Sequence, residues 1–120
     1  MKTPSNTMAI DYNKLLDSPV SVKRELYPDL SGRKSYYRKA IVYELANGAK
    51  VLRSYDTIVA IYWRDSNGEE YYAINGKYSA TTTVHQRDFL YQTAGVDIAP
   101  RKLVNYVQDF KENTAAITGD

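Results

Sequence analysis

The pair Asn-Gly occurs three times, at residues 47–48, 67–68 and 75–76, each time behind a run rich in tyrosine and branched aliphatic residues. Glycine adopts positive φ without a steric penalty and asparagine tolerates it better than most side chains. Asn-Gly therefore closes the tight turns whose twist matches two antiparallel strands. Three such turns in so short a span commit the middle of the chain to a meander of short strands.

The runs between the turns supply those strands. SYYRKAIVYEL, residues 35–45, predicts a strand that turns at Ala46-Asn47-Gly48 and returns as AKVLRSY, residues 49–55. After Asp56 and Thr57, IVAIYW at 58–63 predicts another, and EEYYAI at 69–74 pairs back against it. Asn75-Gly76 then turns the chain into residues 77–79 and three threonines. A sheet of this size has an apolar face that another element must cover.

The C-terminal third offers the cover. The segment from Thr83 to Ala94 ends at Gly95, a helix-stop residue. Thr83-Val84-His85-Gln86 fits a capping box, in which the Thr83 hydroxyl and the Gln86 side chain satisfy the first free N–H groups of a helix. A second helix is expected from Pro100, with Ile98 and Leu103 as a hydrophobic staple and Leu103, Tyr106, Val107 and Phe110 on one face. Near the N-terminus, Met8, Ile10, Leu15 and Leu16 permit a short helix. The stretch SPVSVKRELYPDLSG, residues 18–32, reads as one or two helical turns or a strand.

The expected fold is thus a single α+β domain over residues 1–120: an antiparallel β-meander of three to four strands, two C-terminal helices, and a short N-terminal helical or irregular segment. Residues 1–7 and 114–120 are expected to be loose termini. The length suits one core.

Composition removes several kinds of chemistry. The chain has no cysteine, so disulfides, thiolate metal sites and cysteine nucleophiles are excluded. A single histidine with scattered acids falls short of a zinc ligand set. Asp65-Ser66-Asn67-Gly68-Glu69-Glu70 superficially resembles a calcium loop, yet the glycine comes too early and no acid closes the motif, so it reads as a hairpin turn. No phosphate-binding glycine motif is present, and no cofactor is expected. Nor does any window approach the roughly 18 apolar residues of a membrane span, and no leader-like apolar run follows Met1; a cytoplasmic protein is expected.

Charge is unevenly spread. Residues 20–53 carry eight basic and three acidic residues, and residues 54–120 carry six basic and nine acidic ones, although the net charge is only +2. The stretch RKSYYRK, residues 33–39, interleaves cations and tyrosines, a composition that suits phosphate tracking and base stacking. Arg33, Lys34, Tyr36, Tyr37, Arg38 and Lys39, joined by Lys50 and Arg53, are accordingly the candidate partner-binding residues. On a strand, alternation would split this set between two faces, and a charge-protected edge strand is the bland alternative. Asp65, Glu69 and Glu70 form a second candidate, an acidic surface that mimics phosphate. Twelve tyrosines against two phenylalanines also favour contact surfaces.

His85 invites a catalytic reading, with Ser79 or a threonine as nucleophile and Asp88, one helical turn on, as orienter. No sharp turn exposes such a hydroxyl and no oxyanion device is recognisable, so His85 is expected to be a buried hydrogen-bonding residue and the protein not an enzyme.

The pattern Ser54-Tyr55-Asp56-Thr57 with Val59-Ala60, then Tyr78-Ser79, Thr81-Thr82, His85 and Phe89-Leu90, resembles a small domain of uncharacterised function found in bacteriophage and mobile-element proteins. The likeness covers about residues 52–90. It implies a binding protein that inhibits a host defence nuclease, such as a CRISPR effector, by protein–protein contact in the host cytoplasm. Nucleic-acid binding through residues 33–39 is the alternative. It also implies that Asp56 and Thr57 meet the segment from Ser79 to His85 and serve structure together with Thr83 and Gln86.

Overall fold

The computed structural model describes residues 11–75 and 80–107. Met8, Ile10, the segment 77–79 with Ser79, Phe110 and both expected loose termini lie outside the described residues. Among those described, five strands form one antiparallel sheet in sequence order: β1 (Val20–Glu25), β2 (Ala40–Leu45), β3 (Lys50–Ser54), β4 (Thr57–Arg64) and β5 (Glu70–Ile74). The class is α+β, and the meander has one strand more than the three to four expected. The additional strand is β1, which the sequence left between helix and strand. It lies at the sheet edge and is largely exposed, so it carries no apolar alternation, and Lys23, Arg24 and Glu25 guard the edge instead.

Two of the three Asn-Gly turns lie within the described residues, and in each only the glycine takes positive φ. Gly48 and Gly68 have φ of 91° and 82°. The Asn47 side-chain oxygen accepts from the Ala49 N–H at 2.9 Å, and Asp65 Oδ1 accepts from the N–H groups of Asn67 and Glu69, each at 2.9 Å. Alternation along the strands sends Ala40, Val42, Leu52, Ala60, Tyr62, Tyr72 and Ile74 into one buried cluster. Ile41, Tyr43, Leu45, Val51, Ile61 and Ala73 enter a second cluster with Tyr12 and Leu16. Two buried faces explain why AIVY and IVAIY are continuous apolar runs instead of alternating ones.

Helix α1 is short, Tyr12–Leu15, and Asp11 caps it by accepting from the Lys14 N–H at 3.2 Å. Helix α2 spans Ala80–Ala94 and lays Phe89 and Leu90, both fully buried, on the first cluster. Its start corrects the capping-box expectation: Thr83 stands inside the helix, and Gln86 points its amide at the β4 backbone instead of at a cap. Gly95, at φ 73°, ends the helix with its N–H on Tyr91 O at 3.1 Å.

The second C-terminal helix is a 3-10 helix, Pro100–Tyr106, not an α-helix. Three residues per turn align Leu103 with Tyr106. Leu103 is buried with its staple partner Ile98, Tyr106 stacks on Tyr72 at 5.5 Å, and Val107 leaves to bridge Ile74 of β5. Among the described residues no helix is long and apolar enough to cross a membrane.

Candidate functional site

The inward face of α2 carries buried polar side chains beside Phe89 and Leu90, where a helix covering a sheet is normally apolar throughout. Thr82, His85, Gln86 and Asp88 are all at least 95% buried, and each is matched to a partner. Gln86 Nε2 donates to Val59 O of β4 at 3.0 Å. Ser54, last residue of β3, places its hydroxyl 2.7 Å from His85 Nδ1 and 3.1 Å from Thr82 Oγ1. Among the described residues, Ser54 thus joins the strand end to the helix through its hydroxyl. Asp56 lies exposed in the turn beyond it. Two-residue alternation with Leu52 points Ser54 toward the helical layer, the one signal that could have found it.

His85 is 1% exposed, with the edge of the Tyr36 ring against it at a centroid distance of 4.5 Å. Burial, reinforced by the Arg33 guanidinium and only partly opposed by Asp88, pulls its pKa down to about 4. The imidazole is neutral at physiological pH and hydrogen-bonded to Ser54.

Asp88 does not orient His85 by any hydrogen bond. Its carboxylate accepts from Leu30 N–H at 2.7 Å, from Asp29 N–H at 3.2 Å and from the Tyr36 hydroxyl. Tyr36 is 3% exposed, its oxygen 3.0 Å from Ser31 Oγ, and burial followed by the Asp88 bond pushes its pKa up to about 12. Of the nucleophilic set read from the sequence, Ser79 lies outside the described residues, and Asp88 anchors a loop instead: residues 26–39 are fastened to α2 through Asp88 and Tyr36. Gln92 adds a further clamp, donating to Tyr27 O at 2.8 Å.

That anchored loop carries the basic stretch, and here the sequence expectation of a strand over 35–45 is corrected. β2 begins only at Ala40. Residues 36–39 form a tight turn, with Lys39 N–H on Tyr36 O at 2.9 Å and positive φ at both central residues, 52° at Tyr37 and 66° at Arg38. Positive φ at both central positions is what Asn-Gly provides without strain; Tyr and Arg each adopt it at a cost of about 1–2 kcal/mol. The only other non-glycine residue with positive φ among those described is Tyr55, at 55°, whose N–H donates to Lys39 O at 2.7 Å. All three strained positions therefore sit together.

Because the stretch is a loop and not a strand, alternation does not split it. Arg33, Lys34, Tyr37, Arg38 and Lys39 are all exposed, Tyr37 at 74%. The Lys39 ammonium lies 5.6 Å over the ring of Tyr55, itself 45% exposed. Glu25 approaches Arg38 at 3.8 Å.

The other candidates disperse. Tyr36 belongs to the core. Lys50 starts β3, four residues or roughly 13 Å before the strand end where the loop lies. Arg53 is half-buried with its guanidinium over the Tyr43 ring, on the opposite face of the sheet. In the acidic set, Asp65 holds its turn, and Glu70 accepts from the Tyr62 hydroxyl and from Arg64 at 3.1 Å, which together hold its pKa below the usual carboxylate range. Among the described residues no three His, Asp or Glu side chains are grouped to hold a metal ion. A surface depression of about 410 Å³, lined by Val96, Ile98, Lys102 and neighbours, shares no residue with the buried polar cluster or the basic loop.

Residues 24–105, from the end of β1 into the 3-10 helix, match the model of a family of unknown function, DUF8033, and the chain belongs to that family. No curated protein and no solved structure matches it.

Proposed function

We propose that this protein is a binding protein without catalytic chemistry, which docks an anionic partner on the loop of residues 33–39 and the adjoining Tyr55. The observation that carries the reading is the strained turn at Tyr37-Arg38. Strain held by buried anchors, under side chains left in solvent, is characteristic of binding loops. Among the described residues, the one histidine is 1% exposed and already bonded to Ser54, itself 2% exposed, which supports the same reading.

The test is retention on immobilised heparin, a sequence-free polyanion, at low and moderate salt. The wild-type chain is expected to bind and to elute with rising salt, and the quadruple variant Arg33→Ala, Lys34→Ala, Arg38→Ala, Lys39→Ala to pass through. Equal retention of the two proteins would sink the reading.

A second reading follows from a different patch. Two exposed tyrosines lie near the Gln92 clamp, Tyr91 on α2 and Tyr27, whose carbonyl accepts from Gln92, and exposed aromatic rings favour protein contacts. On this reading the chain is a phage or mobile-element protein that blocks a host defence nuclease, such as a CRISPR effector, by direct contact. Pull-down against a panel of such complexes, with Tyr27→Ser and Tyr91→Ser as the comparison, tests it. Capture unaffected by the two substitutions, or no capture and no inhibition, removes the reading.

A further inference from the structure

We infer that the occupant of the basic loop is single-stranded nucleic acid, held by stacking of bases on Tyr37 and Tyr55 while Arg33, Lys34, Arg38 and Lys39 track the phosphates. This rests on the anionic-partner reading above and names its ligand. Four cations alone would serve any polyanion; the rings separate one class from the rest. Tyr37 is the most exposed large hydrophobic side chain among the described residues, and its left-handed backbone, not packing, sets its direction. An apolar ring kept in water on a strained turn gains only from a partner that offers it a flat apolar face.

Bases of a single strand present such faces, whereas in a duplex they are hidden in the stack. A duplex would instead be met by a helix or a two-stranded ribbon able to enter a groove about 12 Å wide, and a tight four-residue turn is neither. Tyr55 supplies the second platform. One side of its ring is backed by Lys39 at 5.6 Å and it tilts against His85 at 6.1 Å, so it is held in place while 45% exposed. The two tyrosines are joined through the Lys39 backbone, which donates to Tyr36 O and accepts from Tyr55 N–H. The basic stretch is seven residues long, so the site is short, at the low end of the roughly 4–16 nucleotides covered by single-strand binding folds.

The experiment is fluorescence anisotropy with end-labelled oligo-dT and oligo-rU, a duplex of equal length, and heparin as competitor, using the full chain. Single strands are expected to bind at least about ten-fold tighter than the duplex. Tyr37→Ala is expected to weaken single-strand binding by about 5- to 100-fold, the range for loss of one stacked base, and Tyr37→Phe to retain it. Neither variant should alter direct retention on heparin, since both keep the four cations, and thermal melts confirm folding, which exposure of Tyr37 favours. Heparin binding with no preference for single strands, or a Tyr37→Ala variant that binds them like wild type, overturns the stacking inference while the anionic-partner reading stands. Loss of heparin binding as well overturns both.

Discussion

Asp88 is the residue on which the loop depends. A fully buried carboxylate that satisfies two backbone N–H groups and a tyrosine hydroxyl is replaced by nothing if it is removed, so those donors stay buried without an acceptor. Asp88→Ala is expected to cost about 3 kcal/mol, measured by denaturant unfolding. Tyr36→Phe should cost less, and the double variant less than the sum, because the two share one bond. A purely additive cycle would contradict the anchor. His85 gives the fold a pH dependence. Its folded pKa lies near 4 and the unfolded value near 6.5, so between those values the unfolded state binds the proton and the folded state does not. The stability of the buried neutral ring is therefore complete above about pH 6.5 and is lost as pH falls toward 4, by about 3 kcal/mol in all. Comparing unfolding free energies at pH 7 and pH 4.5 checks this, and His85→Gln should lose distinctly less across the same interval.

The turn at 36–39 makes the same sort of statement about an element. The chain places Asn-Gly where it needs an unstrained turn and Tyr-Arg where it tolerates strain, so grafting Tyr37→Asn with Arg38→Gly into the turn is expected to stabilise the fold by about 2 kcal/mol. The same graft should weaken single-strand binding by removing the Tyr37 ring and one of four cations, while heparin retention falls only in part, a trade of function for stability. A graft that lowers the melting temperature would show that the left-handed backbone is not where the strain lies. Elements also differ in how far the sequence exposed them. Strands β2 to β5 were legible because Asn-Gly, Asp65 and two-faced burial act locally, and Gly95 and Pro100 marked the limits of the helical layer. β1 was not, since an exposed edge strand is defined by its pairing to β2 and not by its own pattern. The start of α2 was misplaced at Thr83 because threonine at a cap and threonine inside a helix are chemically alike, and packing against Ser54 decided between them. The loop was misread as a strand for a related reason: tyrosine favours strands locally, while the bond from Tyr36 to Asp88, fifty-two residues away, overrides that preference.

At the scale of the whole molecule, the question is whether net charge or its placement draws the partner. A net charge of +2 is too small to steer a polyanion from a distance, whereas four cations on one loop can neutralise three or four phosphates. The placement can be separated from the total by two charge reversals of equal size. Arg33→Glu with Lys34→Glu alters the loop, and Arg101→Glu with Lys102→Glu alters the exposed start of the 3-10 helix, which packs against the opposite, β5 edge of the sheet. Both pairs bring the net charge from +2 to −2, since each replaces two cations by two anions. Only the loop pair is expected to abolish binding to oligo-dT. In the wild type, counterion release from three or four phosphates predicts a log–log salt slope of about −2 to −3 for a single strand, or roughly a 30-fold loss between 50 and 200 mM salt. The 3-10 helix pair should keep that slope, because the released counterions belong to phosphates it does not touch. Equal losses from both reversals would mean that the molecule binds through its overall field, and the loop would then have no special claim on the partner.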